Sequence, residues 1–170
     1  MQISHSVVIH QPVELVFSYV TNFKSTVEWA AEVEETEALS PLPVKVGFTF
    51  RQNIILRELN LSHAYQIIEY TPNQSCLFKS IAGLLTWLVQ YSFEPHPQGT
   101  SFTQEVRANL EDYFFAGSEA ELKAERLSQL QADLATLKAR LENSDLDMPA
   151  PAPNKPEDEL FSPQSHRPVG

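Results

Sequence analysis

The chain of 170 residues holds a single cysteine, Cys76, which excludes an intramolecular disulfide and a multi-cysteine metal site. Basic residues are scarce: 12 Lys and Arg stand against 22 Asp and Glu, a formal charge of −10. That balance argues against phosphate-driven nucleic-acid binding and against adhesion to anionic membranes. No apolar run approaches the roughly 20 residues that span a bilayer, so no membrane insertion is expected. The opening MQISHSVVIHQ lacks a basic stretch followed by an apolar one, so no signal peptide is read and a cytoplasmic location is expected. His5, His10, His63, His96 and His166 are scattered without metal-ligand spacing, so no metal and no cofactor are expected. The phosphate-cradling glycine motifs and the GxSxG elbow are missing as well.

The chain does hold strong periodicity. Gln2 to His10 alternates, with Ile3, Val7 and Ile9 on one face of a strand. Pro12 suits a first helical turn, and Val13, Val16, Phe17 and Val20 follow at helical spacing. A second short helix is predicted over 23–30, with Trp29 near its end. Residues 32–39 read as an edge strand whose Glu32, Glu34, Glu35 and Glu37 face solvent. After the turn-rich 40–47, five strands are predicted: 48–59, 64–71, 75–81, 84–94 and 100–112. Pro95 to Gly99 forms a hairpin loop. Short turns between successive strands favour an antiparallel meander.

Ser118 and Glu121 fit a capping box that starts a long helix. Its stripe of Leu122, Leu127, Leu130, Leu134, Leu137 and Leu141 suits a helix laid on a sheet, and its spacing also suits a dimer zipper. From residue 143 to the end proline is dense and apolar residues lack a period. This acidic segment reads as a disordered tail beyond a domain of residues 1–142, with EDELFSP as a candidate docking motif.

Several stretches resemble one family in their order. VVIHQPVELVFSYVTNF is similar to its opening strand and Pro-started helix, and VEWAAEV to its Trp-containing second helix. VKVGFTF, YQIIEYTPNQSCLF and YSFEPHPQGTSFTQEV are similar to its strands and hairpins, and LATLKARLE to the close of its last helix. Together they resemble the SRPBCC superfamily, with its START-like helix-grip fold, and within it the polyketide cyclase/dehydrase-type proteins. Phe114, Phe115, Gly117 and the proline-rich tail depart from the pattern. The resemblance implies an α+β fold: a curved antiparallel sheet grips a long C-terminal helix, with two short helices after the first strand. It also implies a cavity for a lipid, isoprenoid or polyketide-like molecule, while naming no universal catalytic residue.

Strand parity and the helical stripe give the candidate cavity lining. These are Phe50, Gln52, Ile54, Trp87, Val89, Tyr91, Phe93, Gln104, Val106, Leu127, Leu130 and Leu134. The same side chains could instead fill a core. Gln52, Tyr91 and Gln104 would orient a hydroxyl or carbonyl of the ligand. The leading expectation is a non-catalytic module binding a hydrophobic or amphipathic small molecule. A cyclase or dehydratase would need an inward acid or base, for which Tyr91 and His5 are the candidates; Glu69 and Glu105 read as solvated surface. A third alternative is a protein-interaction module, pairing weakly with a second copy or with a partner through the last helix or the tail.

Overall fold

The computed structural model describes residues 1–111 and 116–143. Seven strands form one antiparallel sheet: β1 (Gln2–Ile9), β2 (Val33–Ala38), β3 (Thr49–Leu56), β4 (Leu59–Thr71), β5 (Ser75–Ala82), β6 (Thr86–His96) and β7 (Gly99–Asn109). Their order is β1-β7-β6-β5-β4-β3-β2, so the first strand closes against the last and β2 forms the far edge. Three helices complete the domain: α1 (Val13–Thr21), α2 (Thr26–Trp29) and α3 (Glu119–Glu142), with a 3₁₀ turn, Phe23–Ser25, ahead of α2. The sheet curls into a half-barrel around α3, the helix-grip architecture. Register shifts at Ala64/Tyr65 and Ile67/Glu69 in β4 and at Val33/Glu35 in β2 supply local bends.

α3 begins at the expected capping box. The Ser118 side chain accepts from Glu121 N–H at 3.1 Å, and Glu121 Oε2 accepts from Ser118 N–H at 3.1 Å. Leu122, Leu130, Leu134, Leu137 and Leu141 are buried, while Leu127 is only partly so. The leucine stripe is therefore covered within the chain, by β1 and α2 in large part. The far end of α3 is fastened to the β1–α1 junction. Gln11 Nε2 donates to Leu141 O at 2.8 Å, and Glu142 Oε1 accepts from His10 N–H at 2.9 Å.

Two expectations need correction. The strand predicted over 48–59 is interrupted, because β3 ends at Leu56 and turns through Arg57 and Glu58, both left-handed at φ 48° and 66°. Such two-residue turns usually carry Asn or Gly. Here a tertiary contact stands in for that signal, since Arg57 donates to Glu125 at 2.7 Å and to Ala116 O at 2.7 Å, beside the start of α3. The loop at 95–99 is also shorter than expected, because β6 continues to His96 and β7 starts at Gly99. A Cβ at Gly99 would lie 2.2 Å from Ile9 O, so only glycine lets this hairpin approach β1. The Pro-rich tail with its EDELFSP motif, Phe114 and Phe115 lie outside the described residues.

Part of the space inside the curled sheet is filled by aromatic rings. Phe23 stacks on Phe50 at 4.0 Å, and contacts continue through Phe78, Tyr91, Phe102 and Phe93 to Phe17. Two of these rings, Phe17 and Phe23, arrive from α1 and the 3₁₀ turn. Edge and offset ring contacts of this kind pack densely. The other part, beneath α2 and the first part of α3, is walled by aliphatic, aromatic and polar side chains together.

Candidate functional site

That second part contains a cavity of about 140 Å³. Its floor comes from alternate residues of the sheet: Gln52 and Ile54 of β3, Trp87, Val89 and Tyr91 of β6, and Gln104 and Val106 of β7. α2 and the turn after it contribute Thr26, Trp29, Ala30 and Glu32, β2 contributes Val33, and α3 contributes Arg126 and Asp133. An adjoining lobe of about 100 Å³ shares Trp87, Gln104, Val106, Arg126 and Asp133 and extends to Met1, Ile3 and Leu130.

Of the twelve candidate side chains, Gln52, Ile54, Trp87, Val89, Tyr91, Gln104 and Val106 meet around the cavity, and Leu130 lines the lobe. The remaining four lie elsewhere. Phe50 and Phe93 lie in the aromatic cluster, against Phe23 and Phe17, and Phe50 also borders a separate cavity of about 270 Å³ with Phe23, Leu42, Val44 and Phe48. Leu134 is fully buried under α3, and Leu127 packs at the edge of the core.

The polar lining came less readily from sequence. Glu32, expected on a solvent-facing edge, turns inward where α2 passes into β2 and pairs with Arg126 of α3, its Oε1 accepting from Nη1 at 2.7 Å. Glu34, Glu35 and Glu37 do face solvent, as expected. Asp133 accepts from Ala31 N–H at 3.1 Å and from Gln129 Nε2 at 2.8 Å. Burial pushes its carboxyl above the usual range, against the pull of these hydrogen bonds. Arg126, Leu130 and Asp133 recur at i, i+4 and i+7, the one signal that could have placed the two charges over the cavity.

Among the described residues, five buried side-chain polar atoms lack a hydrogen-bond partner in the protein: Thr26 Oγ1, Trp29 Nε1, His63 Nδ1, Trp87 Nε1 and Gln104 Oε1. Four of those residues, all but His63, line the one cavity. Unpartnered buried polar groups are costly and rare, and their concentration at one place marks a site for something that hydrogen-bonds. Gln52 is partnered, with a 3.4 Å contact from Nε2 to Thr36 Oγ1.

The acid–base candidates fare unevenly. Burial raises the Tyr91 hydroxyl well above its ordinary value, with Cys76 and Tyr65 adding to the effect, so it stays protonated. His5 is half-buried in β1 and lines neither the cavity nor the lobe. Glu69 is exposed beyond the β4 bulge, and Glu105 pairs with Arg107 at 2.6 Å. Cys76 is fully buried, its thiol pushed up to about 12. Among the described residues no three His, Cys, Asp or Glu cluster as metal ligands, and no helix is long and apolar enough to cross a membrane.

Comparison with known proteins gives a consistent picture. The family model described as "Polyketide cyclase / dehydrase and lipid transport" matches residues 1–142. Among solved structures, a protein from Thermus thermophilus superposes with a TM-score of 0.71 at 17% identity, over 83% of this chain and 97% of that one. A START superfamily protein from Mycobacterium smegmatis gives 0.69 at 15% identity, over 83% and 97%. Ginseng major latex-like protein 151 from Panax ginseng gives 0.64 at 11% identity, over 82% and 95%. At these identities the likeness is one of fold. A search of curated proteins finds no match.

Proposed function

The chain belongs to the polyketide cyclase/dehydrase and lipid transport family, and from that premise we propose that it binds a hydrophobic or amphipathic small molecule between the sheet and α3. The observation that carries this reading is the gathering of Thr26 Oγ1, Trp29 Nε1, Trp87 Nε1 and Gln104 Oε1, all without protein partners, around one cavity. A core evolved only for packing would bury apolar atoms there. The walls of Ile54, Val89, Val106 and Phe78 supply apolar contact, worth roughly 25 cal/mol per Å² buried. The polar atoms fix the ligand's orientation, with the Tyr91 hydroxyl as a further donor.

Asp133 favours a second reading. A half-buried carboxyl held above its usual range, at the wall of a cavity, is the type of group that serves as a general acid in a dehydratase. Loss of turnover but not of ligand binding in Asp133→Asn would favour the enzyme over the carrier.

Native mass spectrometry of the protein, before and after exposure to an organic extract of cells, tests the binding reading. A discrete added mass that disappears on denaturation supports it. The same spectrum before and after, for every extract fraction, refutes it.

A further inference from the structure

The charges around the cavity do not balance. Glu32 and Asp133 bring two carboxylates to its wall, and Arg126 brings one guanidinium. That guanidinium is engaged, both of its terminal nitrogens donating to the Glu32 carboxylate. Asp133 is held by an amide N–H and a glutamine side chain rather than by a cation. The Met1 ammonium at the lobe is engaged as well, donating to Ala108 O at 2.9 Å and pairing with Glu119 at 3.5 Å. A ligand carboxylate or phosphate placed here would meet a like charge at low dielectric, with each described lining cation already partnered.

The hydrogen-bonding groups left over are of both kinds. Trp29 Nε1 and Trp87 Nε1 are donors and Gln104 Oε1 is an acceptor, with both indole rings more than nine-tenths buried. A hydroxyl both accepts and donates, so one such group can satisfy an indole N–H and the glutamine oxygen together. The space is small. A cavity near 150 Å³ holds a benzene, and here about 140 Å³ continues into a lobe of about 100 Å³. That suits one or two fused rings and falls short of the roughly 300–1,000 Å³ pockets of larger ligands.

We propose that the cavity selects an uncharged, compact molecule of one or two rings bearing a hydroxyl group, and rejects carboxylates and phosphates of the same size. The inference rests on the binding reading above and narrows its ligand class. It assigns Gln104, Trp29 and Trp87 as specificity-determining residues and the Glu32–Arg126 pair as the element that keeps the guanidinium from anions.

The test is calorimetric titration of the full chain with three probes: 2-naphthol, 2-naphthoate and 1-dodecanol. Binding of 2-naphthol about tenfold or more tighter than 2-naphthoate is expected. Gln104→Leu should weaken 2-naphthol about three- to tenfold, the usual worth of one hydrogen bond. Trp29→Phe, which removes an N–H and keeps an aromatic ring, should do the same and serves if the first variant fails to fold. Equal or tighter binding of 2-naphthoate overturns the charge argument. Full-strength 2-naphthol binding in both folded variants overturns the hydroxyl assignment. Binding of 1-dodecanol alone overturns the compact-ring class and leaves the binding reading standing. If none of the three binds while an extract adduct is seen by mass spectrometry, the ligand class alone fails; if no adduct is seen either, both fail.

Discussion

Val89 lies in β6 between Trp87 and Tyr91, at the floor of the cavity, and is 7% exposed. Val89→Arg sends three methylenes and a guanidinium into the cavity of about 140 Å³. The added charge has an acceptor at hand, because the Asp133 carboxyl at the cavity wall is held by neutral donors only. The cost is then mainly that of overpacking, about 1–3 kcal/mol. A domain stabilised by about 5–15 kcal/mol tolerates that and stays folded. Its cavity, however, is filled by its own side chain. A ligand held at micromolar affinity has about 8 kcal/mol to lose, and displacement from most of its contacts should weaken it about a hundredfold or more. Urea unfolding followed by circular dichroism establishes that the variant is folded, and calorimetry with 2-naphthol measures what binding is left. A folded Val89→Arg protein that binds within about threefold of the parent would refute the placement of the ligand.

Other consequences are as direct. Leu134 is fully buried between α3 and the sheet, so Leu134→Ala should cost about 2–5 kcal/mol in urea unfolding. His63 is fully buried and accepts from Leu85 N–H at 3.2 Å through Nε2, which requires the neutral ring. Burial lowers its pKa from 6.5, so the unfolded chain takes up the proton first; the stability due to this group is complete above pH 6.5 and is lost as pH falls below it. His63→Gln, which keeps an acceptor for Leu85, should flatten that part of the urea-midpoint profile; an unchanged slope would contradict it. The Cys76 thiol, pushed up to about 12, should resist dithiodipyridine in the native protein and react fully in urea.

Much of the site was legible because strand parity is local. Trp87, Val89 and Tyr91 alternate on β6 as expected, and Gln104 and Val106 follow suit on β7, so their inward direction needed only the period of two. Parity does not say which part of a strand lies under which helix. Phe50 and Phe93 share that inward face, yet Phe17 and Phe23 come down on them from elements far away in sequence. Glu32 was misassigned for a related reason: three of the four glutamates do lie on the solvent side of an edge strand, and the fourth precedes the strand and meets α3. Arg126 and Asp133 share helical register with Leu130, but a leucine stripe marks only the apolar face and does not tell which charges beside it reach the cavity. The β3–β4 turn was hidden because its left-handed residues, Arg57 and Glu58, are held by α3 and its approach rather than by local turn chemistry.

The chain has two tryptophans, Trp29 and Trp87, and both line the cavity. A ¹H–¹⁵N correlation spectrum therefore shows two indole N–H signals, each reporting on the proposed site. Titrated with 2-naphthol, both should move in a saturable way and at least one should shift as a hydrogen bond forms. Saturable binding seen by calorimetry while both indole signals stay fixed would contradict a ligand site between the sheet and α3.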